Sequence, residues 1–388
     1  MNPLRFVRRG ILLLCLLGLG GITMAVAEAE LPDISTLPAD LVVPSATTGA
    51  PAPGRRVVQQ LPSYRQTQVH HLLYLPTDWQ PGRRYPVIVE YAGNGNFKDK
   101  YGDVSDGSVE GSKLGYGLSG GKGFIWVCMP YVNHAEGKNE PIWWGDVPAT
   151  LDYCMVAVRL VCEQYGGDPS AVLLTGFSRG AIGCNYLGLH DDRIADVWLG
   201  FIPYSHYDGV RDWPWPGGKD KAAARERFLR LKGRASFVCQ EGSTRATQAY
   251  LGESAQLSPM TFLDLPFRNH NDGWTLRDSP ARRQLRAWVA DVLARRPGTL
   301  AIHGQVSDAA GQAIAGARVS SGPTHWTVSG QDGHYTLAGL VAGPRQVEAS
   351  APGLRFDAVQ TSTSLSAGDL RGINFRAAAG VAPGVAHR

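Results

Sequence analysis

Between Leu173 and Gly183 the chain reads Leu-Leu-Thr-Gly-Phe-Ser-Arg-Gly-Ala-Ile-Gly. A short apolar run enters a G-x-S-x-G turn, and small residues follow it. That is the order of a strand, a tight turn and a helix, a device that lifts a serine Oγ clear of the strand end. Side chains at Gly176 and Gly180 would collide where the helix folds back on the strand. The chemistry such a residue offers is nucleophilic attack. The hydroxyl of Ser178 is a poor nucleophile until a base removes its proton, and the base needs a third group to orient it.

These groups have to be carried by regular elements. Tyr165-Gly166-Gly167-Asp168-Pro169 is a helix stop and turn, placed just before the strand at 171–174. Between residues 55 and 298 strand and helix patterns alternate, which predicts a mostly parallel sheet with helices on both faces. Strands are expected at 69–75, 85–91, 123–130, 197–203, 235–239 and 261–265. Residues 146–164 place Val147, Leu151, Cys154, Met155, Val158 and Val161 at nearly helical spacing. Helices are also expected at 181–189 and 282–295, the last with Leu285, Trp288, Val289 and Val292 on one face.

The elbow Gly176 to Gly180, the preceding Gly167-Asp168-Pro169 turn and a late histidine, His270, resemble the α/β-hydrolase superfamily over residues 60–297, especially secreted carbohydrate-esterase-like and depolymerase-like members. The resemblance implies a Ser-His-acid esterase that needs no cofactor or metal. It also implies the chain order serine, acid, histidine. His270 suits that order, lying in a loop between the strand at 261–265 and the closing helix, whereas His190, His206 and His303 do not. Glu241, directly after the strand at 235–239, is the expected acid, although the position slightly beyond it, where an aspartate often stands, is Ser243. Asp208, after the strand at 197–203, is the rival. Asp272 is expected to hold the loop.

An oxyanion needs two backbone donors. One is expected from Arg179, after the serine, and the other from the loop Gly93-Asn94-Gly95, after the strand at 85–91. Trp143, Trp144, Trp213 and Trp215 stand in loops at the same end of the sheet, where ligands of open α/β sheets bind. They could stack on sugar rings or aryl esters, or pack on one another.

From about Thr299 the pattern changes to short alternating strands with Gly and Asp turns, an all-β sandwich signature. The elements Gly304-Gln305-Val306, Gly316-Ala317-Arg318-Val319 and Asp332-Gly333-His334-Tyr335-Thr336-Leu337 resemble carboxypeptidase regulatory-like, transthyretin-like modules. The expected bounds are 299–376, with a disordered tail at 377–388 and no catalytic cluster, although the module could contact a glycan or cell surface.

At the other end, Arg5, Arg8 and Arg9, the apolar run Ile11 to Leu19 and Ala25-Val26-Ala27 have the layout of a signal peptide over 1–27. Export to the periplasm or beyond is therefore expected, without stable membrane insertion after cleavage. Residues 28–54, rich in Pro, Ala and Thr, read as a tether or surface arm. A net charge of +4 with scattered arginines gives a nucleic-acid partner little support. Of six cysteines, the five beyond Cys15 sit in apolar patterns and read as buried hydrophobes. The reading that follows is an exported serine hydrolase of a carboxylic ester, of low molecular weight or on an acylated polysaccharide. A serine peptidase of the same fold and a non-catalytic binding protein on a decayed scaffold are the alternatives.

Overall fold

A computed structural model of the chain describes residues 30–295, 300–323, 325–340, 343–356, 360–365 and 369–378. The expected signal peptide and all but the first two residues of the expected tail lie outside them. The larger part is built on nine strands: β1 (Ala46–Thr47), β2 (Arg56–Gln59), β3 (His71–Tyr74), β4 (Tyr85–Tyr91), β5 (Ile125–Met129), β6 (Gly167–Phe177), β7 (Gly200–Tyr204), β8 (Ala235–Glu241) and β9 (Met260–Leu265). Their order across the sheet is β1-β2-β3-β5-β4-β6-β7-β8-β9. Only β3 runs antiparallel to its neighbours. The segment expected as a tether thus supplies an edge strand, β1.

The strands alternate between two cores. Val87, Val89, Val172 and Leu174 face one side, and Ile88, Ala171 and Leu173 the other. Both sides are covered, which is why these strands read as nearly unbroken apolar runs. Helix α1 (Leu114–Ser119) lies on the second face with Leu114 and Leu118, whereas helix α2 (Val147–Tyr165) covers the first with Leu151, Cys154, Val158 and Val161, and Asp146 caps its first turn through Ala149 N. Helix α3 (Arg179–Tyr186) packs on the same face, directly after Ser178. A later helix, Pro280–Ala294, covers the second face with Leu285, Val289 and Val292. The five cysteines from Cys128 to Cys239 are buried free thiols.

Beside the site, Glu90 is buried on β4 and accepts hydrogen bonds from the amides of Lys113, Leu114 and Gly115 and from Trp126 Nε1. Burial, then the charge of Asp272, pushes its carboxyl up to about 7. Asp272 itself pairs with Lys113 at 2.7 Å.

The C-terminal part forms two small sheets. One is centred on Leu300–Ser307, which pairs antiparallel with His334–Leu340 and parallel with Leu370–Arg371 and Phe375–Arg376. The other is antiparallel, with Arg318–Ser321 between His325–Val328 and Gly343–Ser350, and Gln360–Leu365 beyond. Ile302, Val306, Val319, Leu337, Val347 and Phe375 fill the space between them. The module meets the larger domain at the amino ends of its strands. There Arg318 pairs with Glu163, Arg345 lies 3.7 Å from Asp196, and the Trp326 ring is flanked by Arg84 and Arg318.

Candidate active site

Register brings the site together. In β6, Gly176 pairs with Tyr91 of β4 and Phe177 with Tyr204 of β7, so Ser178 emerges between the ends of those strands. Its backbone is at φ 54°, ψ −110°, a strained conformation for a residue with a side chain. A Cβ on Gly176 would overlap the backbone of Gly180. One on Gly180 would overlap the Tyr91 carbonyl, so that glycine is required by the neighbouring strand rather than by its own. Of the five non-glycine residues with positive φ among the described residues, four (Asn96, Trp143, Ser178 and Ser205) stand around this point.

Ser178 Oγ lies 2.9 Å from His270 Nε2, and His270 Nδ1 lies 2.7 Å from Glu241 Oε1. A carboxylate can only accept, so Nδ1 carries the proton and Nε2 is free to accept from the serine hydroxyl. Glu241 is the last residue of β8. The strand continues two residues past its expected end and carries the carboxylate to the ring. Asp208 does not reach it. It is buried and held by Arg227, with Nε to Oδ2 at 2.7 Å and Nη2 to Oδ1 at 3.2 Å. An arginine fork that engages both oxygens leaves Asp208 unable to orient an imidazole.

Ser205 was not singled out from the sequence. Fully buried, at φ 89°, it directly follows β7 and donates its hydroxyl to Glu241 Oε1 at 2.9 Å, with His270 Nδ1 equally close. The histidine loop is held on both sides of the ring. Asn271 and Asn269 both donate to Asp103 Oδ1, at 2.9 and 3.3 Å, and Asn269 Oδ1 accepts from Ile34 N of the N-terminal arm at 2.6 Å. Phe177 and Phe97 pack against the imidazole, with ring centroids 4.7 and 4.8 Å away. His206 lies 5.3 Å from it, and burial, then the charges of His270 and Arg211, pushes His206 down to about 3 and keeps it neutral.

The loop after β4 is organised by a side chain for which the sequence reading assigned only a backbone role. The buried guanidinium of Arg179 donates to the carbonyls of Trp143 (2.6 Å), Gly93 (2.9 Å), Gly107 (3.2 Å) and Glu140 (3.3 Å), and lies 3.7 Å from the Tyr131 ring centroid. Burial lowers it to about 10, still charged at neutral pH. The amide of Arg179 opens helix α3 and has no intrahelical acceptor. In the facing loop Gly95 N is consumed by the Pro141 carbonyl at 2.7 Å, and Gly93 lies against Phe177 behind the cavity. Asn94 remains, lining the cavity. Its side chain accepts from Trp143 N at 2.7 Å, and its amide has no partner among the described residues.

These groups border a cavity of about 420 Å³ into which Ser178, His270 and Glu241 open. Trp143 and Trp213 form part of its wall. Trp144 and Trp215 do not. They are buried behind it, Trp144 stacked on Tyr186 at 4.6 Å and edge-on to Trp215, and serve as the bed on which the other two rings rest. Among the described residues no group of three or more His, Cys, Asp or Glu converges so as to hold a metal ion.

Residues 301–378 match the model of the carboxypeptidase regulatory-like domain. No curated protein matches the sequence. Among solved structures, the chain is similar to a thermostable esterase (14% identity, 61% of this chain and 62% of that one, TM-score 0.37). It is also similar to apo esterase 2 of Thermogutta terrifontis (14% identity, 62% of this chain and 94% of that one, TM-score 0.43). A third likeness is to an acetyl ester-xyloside bifunctional hydrolase from Caldicellulosiruptor lactoaceticus (11% identity, 64% and 98%, TM-score 0.42). All three likenesses are distant. Strand order, the single antiparallel strand β3 and the elbow between β6 and α3 make the larger part of this chain an α/β-hydrolase fold, joined to a carboxypeptidase regulatory-like domain.

Proposed function

We propose that this chain is an exported serine hydrolase of carboxylic esters. The observation that carries the reading is the continuous relay Ser178 Oγ–His270–Glu241, with steps of 2.9 and 2.7 Å, opening into a cavity large enough for an acyl or sugar group. Ser178 Oγ attacks the ester carbonyl while His270 Nε2 takes its proton. Glu241 stabilises the imidazolium, and Ser205 steadies the carboxylate. The tetrahedral oxyanion is received by the amides of Arg179 and Asn94, at positions that the Arg179 side chain pins together. Return of the proton from His270 releases the alcohol and leaves an acyl-Ser178 that water then hydrolyses.

An acylated polysaccharide is the substrate we favour, because Trp143 and Trp213 offer ring faces on the cavity wall for a pyranose. The N-terminal Arg5 to Ala27 segment supports export to the periplasm or beyond. The C-terminal module is a candidate contact for glycan or cell surface.

A fluorophosphonate probe tests the chemistry directly. It should label the wild-type protein at Ser178, and Ser178→Ala should lose both labelling and ester turnover, by a factor on the order of 10⁶ in kcat. A folded wild-type protein that neither labels nor turns over esters would refute the reading.

A further inference from the structure

We infer that Arg211 makes this site selective for esters that carry a carboxylate elsewhere in the same molecule. The inference rests on the ester-hydrolase reading and adds a substrate class to it. Arg211 lies on the cavity wall with Ser178, His206, Trp213 and His270, and is exposed. Its guanidinium makes no hydrogen bond or ion pair with any described residue. The acids nearest to it in the chain are taken, Asp208 by Arg227 at 2.7 Å and Asp212 by Lys221 at 3.7 Å. The carboxylate inside the cavity, Glu241, is bound to His270 and Ser205. The other cation of the wall, Arg179, is spent on backbone carbonyls. His206 is neutral, so it neither competes for an anion nor adds to the charge.

The cavity wall that carries the nucleophile therefore also carries a guanidinium with no ion-pair partner among the described residues. A planar fork of N–H donors matches a carboxylate in two-point geometry. A neutral ester leaves that charge unanswered. Two sources of the carboxylate fit the chemistry: the acyl side, as in a half-ester of a dicarboxylic acid, and the alcohol side, as in an ester of a uronate or carboxyaryl alcohol.

Matched pairs of substrates decide between them. Methyl hydrogen adipate against dimethyl adipate probes the acyl side, and 4-carboxyphenyl butyrate against 4-carbamoylphenyl butyrate probes the alcohol side. In the wild type, kcat/KM should favour the anionic member of at least one pair by about tenfold or more, the range of a charge-assisted hydrogen bond. Arg211→Gln should bring that ratio down to near one, Arg211→Glu should invert it, and added salt should shrink it in the wild type. Because each test is a ratio within one protein, a general loss of turnover cancels. Ratios near one for both pairs in the wild type, or a preference that survives Arg211→Gln, overturn the inference while leaving the hydrolase reading intact. Failure of Ser178 to label with a fluorophosphonate, together with no turnover of any of the four esters, overturns both.

Discussion

At the scale of single residues, the acid separates a group that touches the histidine from one that merely sits nearby in the chain. Glu241→Gln keeps shape but removes the charge facing His270, and in a serine protease triad the analogous change costs about 10⁴ in kcat. We expect that loss with the melting temperature little altered. Asp208→Asn should do the reverse. It removes the charge facing the partly buried Arg227 guanidinium, a defect worth up to about 3 kcal/mol of stability, while turnover of the folded protein is largely kept. Thermal melts and kcat on the same two samples check both, and a collapse of kcat in Asp208→Asn alone would refute the assignment. Ser205 acts through Glu241 and is a positioning residue. Ser205→Ala and Ser205→Gly both delete its hydrogen bond to a charged group, and kcat should fall by about tenfold or more with KM little changed. The glycine variant relieves the φ 89° strain and should be the more stable of the two. A turnover unaffected by either change would show that the hydroxyl is incidental.

Among the elements, the N-terminal arm has a larger part than its composition foretold. Ile34 N reaches Asn269, the Pro32 carbonyl accepts from Arg268 N at 3.2 Å, and Arg277 Nε donates to the carbonyls of Leu37 and Ile34 at 2.7 and 3.0 Å. Asp40 closes the strap with two 2.7 Å contacts to Arg282. These bonds bracket His270 in sequence and fasten its loop against the sheet. Residues 30–41 carry no group of the relay, yet their deletion should lower kcat markedly by loosening the imidazole. The melting temperature should fall as well, since burial of Ile34 is worth about 2 kcal/mol. A truncated protein starting at Val42 that melts lower but turns over at the wild-type rate would reduce the arm to a purely stabilising role. Rescue of kcat by adding the arm back as a peptide would separate positioning from folding.

For the whole molecule, the two domains meet far from the chemistry. Gly339 of the C-terminal module lies against Ser170, near the start of β6, and Ser178 follows the end of that strand. The eight residue steps from Ser170 to Ser178 span roughly 26 Å. Removing residues 299–388 should therefore leave kcat/KM on a small soluble ester largely unchanged, and should lower the melting temperature by exposing the faces around Arg84 and Glu163. If the module contacts glycan or cell surface, the same truncation should reduce turnover of an insoluble acylated polymer and spare the soluble ester. A truncated domain that is folded but inactive on the small ester would mean that the module shapes the site from a distance.

What the chain determined by itself was whatever depends on neighbours in sequence. The elbow at Gly176–Gly180 is legible because a strained turn needs glycines at fixed offsets, and the strand at 85–91 because a strand buried on both faces must be largely apolar. The β-sandwich is legible in its Gly and Asp turns. The choice between Glu241 and Asp208 was not, since each stands close after an expected strand and they differ only in what the fold brings against them. One meets an imidazole 29 positions later in the chain, the other an arginine on a helix 19 positions on. The same holds for Ser205, an ordinary serine until strand register sets it beside Glu241, and for Arg179, whose side chain ties together loops 36 to 86 residues away. Trp144 and Trp215 could not be told from Trp143 and Trp213 either, because paired tryptophans look alike in sequence. Which ring faces a cavity and which is buried is decided by packing.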